Sequence, residues 1–278
     1  MYILRILISV LLVSLIIYFY KDSILAFDYK LIDFEMILFS TILMLVTISI
    51  ASSRFFFSLK SVNIYYPAIE CFKLGLSSNL MSQIMPGGGM GGDLFKFILF
   101  SKLKQKKLSV TQSILIDRGL PLVVALLIAS LFFLIQNNFN ILIIFSYLVI
   151  FVFIVSYFTK KFIGEAFSGS NCIISVFHSI SILVVTSLIF YLLLNKFGAS
   201  ISYINCFFVY SFISLSKIIP SFGGWGVRES AALYAFNIFN IDPSIIIISS
   251  IFFGLVLVFT SLIMGIFYID NIIKIMKK

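Results

Sequence analysis

Long apolar stretches dominate this sequence, and they limit its possible folds more than any other feature. Each of six stretches is close to the roughly 20 residues that an α-helix needs to cross the hydrocarbon core of a bilayer. They are Ile3–Tyr20, Met36–Ala51, Ser113–Ile135, Ile141–Phe158, Ile173–Leu194 and Ser244–Tyr268. The sequence therefore predicts an all-α integral membrane protein with about six full transmembrane helices.

The composition excludes whole classes of function. Of the 278 residues, 61% are hydrophobic and 11% are charged. In soluble domains about 45–50% of the residues are apolar and about 25% are charged. The segments between the apolar stretches are too short to form an aqueous domain of their own. A soluble enzyme and a nucleic-acid-binding protein are therefore excluded, and we expect residues 1–278 to form a single transmembrane domain.

Two further apolar stretches are interrupted by glycine and proline. Tyr65–Ser101 is broken at Met85–Asp93, and Tyr203–Phe239 is broken at Ile219–Glu229. Proline removes a backbone donor and clustered glycine disfavours a helix, so neither break continues as helix. Each limb, at roughly 10–20 residues, is short or marginal for a full crossing. The pattern predicts two re-entrant hairpins.

The positive charges indicate the topology. Although the formal net charge is +9, the Lys and Arg residues are dispersed among the loops between apolar stretches, as the positive-inside rule expects. The cations expected on the cytoplasmic side are Arg5, Arg54, Lys60, Lys102, Lys104, Lys106, Lys107, Lys160, Lys161, Lys274, Lys277 and Lys278. This predicts a multi-pass protein of the cytoplasmic (inner) membrane with both termini in the cytoplasm. The first hairpin would enter from the cytoplasm and the second from outside.

The two hairpins resemble copies of one unit. Gly88–Gly91 aligns with Gly223–Gly226, and each segment is followed shortly by an acidic residue, Asp93 or Glu229. Ile141–Phe158 would invert the second unit relative to the first. The repeat units are about 36–135 and 173–268. Inverted repeats with interrupted helices at matching positions indicate a transporter with its site near the midplane, and chance similarity of glycine-rich loops is the alternative.

The helix ends beside the two breaks are suited to binding an anion. A half-helix that begins inside the membrane presents unpaired backbone N–H groups, and glycine lets a ligand approach them closely. Lys96 lies one turn after Asp93, and Arg228 opens the second half-helix, so both cations are placed to reach a phosphate. Asp93 and Glu229 leave two interpretations open, which are helix capping and coupling to protons or cations.

Other polar residues are also ambiguous. Asp117 and Arg118 point in different directions on one helix, so they either serve a site or reach toward the interface. Lys217 and Trp225 would contact a headgroup or sugar, or else anchor the membrane boundary. His178 is expected to form a helix–helix hydrogen bond. The sequence predicts no metal site, no cofactor and no catalytic residue.

These residues resemble a known family. Pro86–Gly88 with Gly92–Asp93, then Asp117–Arg118, then Pro220 with Gly223–Glu229 are similar to the lysylphosphatidylglycerol synthetase transmembrane region, or flippase-like domain. The resemblance covers nearly the whole chain, with a departure at Lys96, where arginine is more frequent. Larger members carry a cytosolic aminoacyl-transferase domain, and we expect this chain to be a stand-alone member without one. The resemblance therefore implies lipid translocation or lipid handling without synthesis.

We accordingly expect a membrane lipid translocase, a transporter rather than an enzyme. Its substrate would be a phosphate-bearing lipid, such as an aminoacylated phospholipid or a polyprenyl-linked sugar. The alternatives are a membrane transferase and an accessory subunit that partners a synthase or glycosyltransferase. The predicted substrate-binding residues are Pro86, Gly87, Gly88, Gly89, Gly91, Gly92, Asp93, Lys96, Asp117, Arg118, Pro220, Gly223, Gly224, Gly226, Arg228 and Glu229.

Overall fold

Helices form the whole of the regular structure that is described. The computed structural model describes residues 31–84, 89–136, 169–219, 221 and 223–277, with scattered positions between 11 and 25 and between 140 and 150. Its helices are α1 (Phe34–Ser61), α2 (Ala68–Ile84), α3 (Gly89–Lys102), α4 (Lys107–Gln136), α5 (Gly169–Lys196), α6 (Tyr203–Leu215), α7 (Val227–Phe236) and α8 (Pro243–Lys277). Short 3₁₀ turns follow α6 and α7 at Ser216–Ile218 and Asn237–Phe239. The all-α prediction is confirmed over these ranges.

Four of the helices are long and apolar enough to cross a membrane. The apolar segments are Phe34–Ser61, Lys107–Gln136, Ser170–Lys196 and Pro243–Gly265. Three of the six predicted spans lie within them, and a fourth, Ser244–Tyr268, overlaps the last one. The other two, Ile3–Tyr20 and Ile141–Phe158, fall largely outside the described residues, so the total of six stays a prediction.

The first interrupted stretch folds back on itself. Gly92 of α3 packs against Ser78 and Ser82 of α2, close to the break between the two helices. At the opposite end of the pair, the ring centroids of Tyr66 and Phe100 are 5.2 Å apart. Because residues near the break meet each other and residues far from it also meet, α2 and α3 form an antiparallel hairpin.

The second interrupted stretch has the same form. Its limbs, α6 and α7, pack together, and the Phe132 ring of α4 contacts both Phe208 and Phe239, at 5.4 and 6.4 Å between centroids. In the break, Gly223 and Gly224 have φ of +59° and +81°, a backbone that side chains with a Cβ rarely adopt. Described helices therefore end and begin at both predicted breaks, but the breaks are shorter than predicted, because Gly89–Asp93 belong to α3 and Val227–Glu229 belong to α7. That the hairpins re-enter a bilayer stays a prediction.

The long helices α1 and α5 run antiparallel. The Lys196 ammonium donates to Asp33 Oδ2 at 2.6 Å, just before α1 begins. This ion pair, with a hydrogen bond from the Met36 N–H, holds the pKa of the Asp33 carboxyl below its usual range. Farther along, His178 Nε2 lies 3.1 Å from Ser53 Oγ. The helix–helix hydrogen bond predicted for His178 is therefore confirmed.

This arrangement places the two hairpins tip to tip. The open end of the first hairpin lies at the end of α1, and the open end of the second lies at the end of α5. Because α1 and α5 are antiparallel, the hairpins enter the bundle from opposite ends. Their tips meet at its centre, where a Cβ built on Gly223 would lie 3.4 Å from Gln83 Oε1.

The helix contacts form matching pairs. Helices α1–α4 form a first series and helices α5–α8 form a second. The last helix of the second series, α8, packs against α2 of the first hairpin, and α4 packs against α6 of the second hairpin. Likewise α1 packs against α2 as α5 packs against α6. These contacts of the first series thus have counterparts in the second.

Small residues allow the close helix packing of the first hairpin. A Cβ atom at Gly92 would overlap the carbonyl oxygen of Ser78 and the hydroxyl of Ser82. Small residues at helix interfaces let backbones approach in this way and provide the van der Waals packing that holds membrane helices together. Gly92 therefore closes the hairpin and lies buried in it.

We predict that Gly92→Ala destabilises the protein by about 1–3 kcal/mol, the range of overpacking substitutions. The added methyl meets backbone, which cannot move aside as a flexible side chain can. Gly119→Ala in α4 is the control, since a Cβ there meets no described atom within 4 Å. The check is thermal unfolding in detergent, and equal midpoints for the two variants would contradict the prediction.

Candidate functional site

A cavity of about 320 Å³ lies where the hairpin tips meet. Helices α1, α4, α5 and α8 complete its wall, so residues from both series line it. Apolar side chains form the larger part of this wall, nine serine and threonine residues interrupt it, and Asp117 is the carboxylate in the described lining. The lining cations are Arg54, Lys96, Arg118, Lys217 and Arg228. The cavity is therefore strongly cationic within a largely apolar wall.

Asp117 of α4 joins three helices. Its Oδ1 accepts from Arg54 Nε of α1 at 2.9 Å, and its Oδ2 accepts from Lys96 Nζ of α3, also at 2.9 Å. Only 4% of the Asp117 side chain is exposed, so the carboxylate lies in the protein interior. Lys96 Nζ also lies 3.9 Å from the centroid of the Phe55 ring. One carboxylate therefore balances two cations in this group, which we call the Asp117 clamp (Arg54, Lys96 and Asp117).

Arg118, the next residue, faces a different partner. Its Nε donates to Asp93 Oδ2 of α3 at 2.7 Å, and 42% of its side chain is accessible. Neighbouring residues of a helix diverge in direction, which is why Asp117 and Arg118 pair with different groups. This ion pair ties the first half-helix after the break to α4.

Glu229 combines two roles at the start of α7. Its Oε2 accepts from the Gly226 N–H at 2.7 Å, which caps the helix. Its Oε1 accepts from Arg228 Nη2 at 2.6 Å and from the Ser250 hydroxyl at 3.1 Å. The capping interpretation is thus confirmed for Glu229, and the same carboxylate also orients Arg228.

Arg228 is enclosed by aromatic rings and a glycine. Its guanidinium carbon lies 5.2 Å from the centroid of Trp225 and 5.7 Å from that of Phe253. Across the cavity wall, a Cβ at Gly254 of α8 would overlap Arg228 Nη2. Trp225 therefore lies against Arg228, and only glycine at position 254 leaves room for the observed guanidinium position.

Comparison with known proteins agrees with this architecture. A family model described as the lysylphosphatidylglycerol synthase TM region matches residues 2–265 of the chain. The chain belongs to this family. Searches of curated proteins and of solved structures give no significant match. Family membership and the apolar helices make it a multi-pass membrane protein with a lipid-related, flippase-like domain.

In this member of the lysylphosphatidylglycerol synthase TM region family, Lys217 turns toward the cavity. The residue lies in the 3₁₀ turn before the second break, and its side chain is exposed there. Arg118, Arg54 and Arg228 lie close enough to repel its charge. Lys217 forms no ion pair with any of the described carboxylates. Contact with a headgroup and anchoring at the outer boundary both stay predictions for this residue.

The predicted glycines lie in different surroundings. Gly223 and Gly224 line the cavity, and Gly226 donates to Glu229. Gly91 and Gly92 are buried in the first hairpin, and Gly89 begins α3. The predicted site residues that lie outside the described part of the chain are Pro86, Gly87, Gly88 and Pro220. The second break therefore presents more of its glycines to the cavity than the first break does over the described positions.

Three residues of this family member's site escaped the sequence analysis. The prediction that Arg54 lies in a loop between apolar stretches is wrong, because α1 continues to Ser61 and buries Arg54 against Asp117. Ser250 and Gly254 lie in an unbroken apolar stretch and hold Arg228 in place. The signal that was available for Arg54 was its position only three residues beyond an apolar stretch that is short for a full crossing.

Proposed function

We propose that this protein is a lipid translocase that moves a phosphate-bearing lipid between the leaflets of the cytoplasmic membrane. An aminoacylated phospholipid and a polyprenyl-linked sugar are the substrate types considered. The observation that carries the proposal is the cationic cavity between the tips of two broken helical hairpins. Charged groups inside a membrane are costly and mark substrate pathways.

The cavity suits a headgroup rather than a whole lipid. Ligand pockets of about 300–1,000 Å³ enclose small molecules, and 320 Å³ is at the lower end. The phosphate would accept hydrogen bonds from Lys96, Arg118 and Arg228, and Gly223 and Gly224 would bring backbone close to it. Asp93 and Glu229 would position these cations. The acyl or polyprenyl chains would remain outside, in the bilayer.

The finer architecture is part of this proposal. We place six full spans around two re-entrant hairpins, with both termini cytoplasmic and with repeat units at about 36–135 and 173–268. The matching contacts of α8 with α2 and of α4 with α6 support an inverted repeat. Rocking of one such unit against the other around a central site would expose the headgroup to each leaflet in turn.

The test is a leaflet-accessibility assay in proteoliposomes, with the lipid products identified chemically in the same samples. We expect the wild-type protein to move an unmodified phospholipid or polyprenyl phosphate lipid, whereas protein-free vesicles do not. A covalently altered lipid would assign the protein to the transferases instead. No movement of any of these lipids would contradict the proposal and favour an accessory subunit.

A single added methyl group gives a sharper prediction. In Gly254→Ala the new Cβ occupies the position of Arg228 Nη2, and the flexible side chain moves aside rather than unfolding the protein. We expect the translocation rate to fall about tenfold, which corresponds to about 1.4 kcal/mol of lost interaction. Gly119→Ala, whose Cβ enters open space, is the matched control. An equal rate in both variants would contradict the role of Arg228.

A further inference from the structure

The cavity carries more positive than negative charge, and this imbalance restricts its ligand. Five cations line the cavity among the described residues, and three carboxylates pair with them, namely Asp117, Asp93 and Glu229. This leaves an excess of two positive charges. From this excess we infer that the site selects a headgroup with about two negative charges, a phosphate monoester or a diphosphate, over a phosphodiester or an aminoacylated lipid. The inference rests on the proposed function.

The two excess charges occupy definite places. One lies at the Asp117 clamp, where a single carboxylate holds both Arg54 and Lys96. The other is Lys217, which faces three cations and forms no ion pair with a described carboxylate. Arg118 and Arg228 are each balanced by an acidic partner. The negative charge of a ligand would therefore be balanced by the clamp and by Lys217, which line the same cavity.

The electrostatic attraction between such a site and its ligand depends strongly on the charge of the ligand. A cleft with low-dielectric walls focuses the field of its charges, so two cations that lack counter-ions attract a dianion much more than a monoanion. A phosphate monoester carries about −1.5 to −2 near pH 7, whereas a phosphodiester carries only one negative charge. An aminoacyl ester adds ammonium groups to that single negative charge, and the cations of the cavity repel those groups.

The experiment measures equilibrium binding to the full chain in phosphatidylcholine nanodiscs. The lipid probes have identical acyl chains and are phosphatidic acid, phosphatidylglycerol and lysylphosphatidylglycerol, and glycerol 3-phosphate is the soluble monoester. We expect phosphatidic acid to bind at least about tenfold more tightly than phosphatidylglycerol, a difference of about 1.4 kcal/mol, and lysylphosphatidylglycerol to bind most weakly. Equal or reversed affinities of these lipids would overturn the inference. Equal affinity for glycerol 3-phosphate would overturn its assignment to a lipid.

Lys217 provides the decisive variant because it is accessible and its loss leaves no acidic partner unpaired. In Lys217→Gln we expect the preference for phosphatidic acid over phosphatidylglycerol to fall to about threefold or less, as one of the two excess charges is gone. Lys217→Arg should restore it. Lys73→Gln is the control, since Lys73 pairs with Glu70 away from the cavity. An unchanged preference in Lys217→Gln would overturn the inference.

The same lipids in proteoliposomes separate the two proposals. Binding of phosphatidic acid with the expected preference, but without movement between leaflets, would support the charge selectivity and contradict the translocase. Movement of lysylphosphatidylglycerol or phosphatidylglycerol in preference to phosphatidic acid would support the translocase and overturn the charge selectivity. Movement of phosphatidic acid with loss of preference in Lys217→Gln would support both.

Discussion

Asp117→Asn is expected to destabilise the protein by about 3–5 kcal/mol, the range for removing one partner of a buried ion pair. The substitution preserves shape but removes the only carboxylate that contacts Arg54 and Lys96 in the described structure. Two buried cations are then left without a counter-charge, and the clamp that joins α1, α3 and α4 loses its centre. The large effect arises from these unbalanced charges rather than from lost packing.

The measurement is the free energy of unfolding in detergent, or the unfolding midpoint where unfolding is irreversible. Glu70→Gln is the matched control because it also neutralises one acidic partner of a lysine, but in a pair that is partly exposed on α2. Exposed pairs contribute about 0–1 kcal/mol, so its midpoint should stay close to that of the wild type. Equal midpoints for Asp117→Asn and Glu70→Gln would contradict the structural role of the clamp.

The double variant Arg228→Gln with Glu229→Gln is expected to abolish translocation while the protein stays folded. Arg228→Ala alone would leave the Glu229 carboxylate, only 3% exposed, without its cation, and loss of activity would then be confused with loss of structure. Neutralising both partners avoids an unpaired buried charge, which is what makes the removal of one partner strongly destabilising. Glutamine at position 229 still accepts the Gly226 N–H that caps α7.

For this pair we expect a translocation rate at least about 100-fold below wild type, corresponding to about 2.7 kcal/mol, with an unchanged unfolding midpoint. The proteoliposome assay measures the rate, and detergent unfolding measures the midpoint. Glu70→Gln with Lys73→Gln removes an equivalent pair of charges from α2, outside the cavity, and should retain activity. A double variant at 228 and 229 that transports at the wild-type rate would contradict any role for this pair.

The sequence predicted the features that depend on local chemistry. Apolar length alone located the four described spans, since a helix in lipid needs a continuous apolar surface over a fixed length. Glycine and proline located both breaks, and the acidic residue three positions after Gly226 indicated the cap of α7. These properties lie within one or two helical turns, so they can be read without knowledge of neighbouring helices.

Helix ends were less predictable where polar residues are satisfied inside the fold. The predicted second span stopped at Ala51, but α1 continues to Ser61. Ser52 and Ser58 donate to the backbone carbonyls four residues before them, at 2.8 and 3.0 Å. Arg54 is also paired, by Asp117. Hydropathy therefore predicts that the part of α1 beyond Ala51 faces solvent, although these polar groups have partners in the protein.

Charge partners were decided only by the tertiary structure. Arg54 and Asp117 are 63 residues apart in sequence, and Gly254 limits the position of Arg228 from another helix. Composition and spacing by themselves determined a helical membrane protein with two broken segments that carry cations. Which cations face one cavity, and which of them lack a counter-ion there, depends on the rotation and crossing of packed helices, because side-chain direction changes by about 100° per residue.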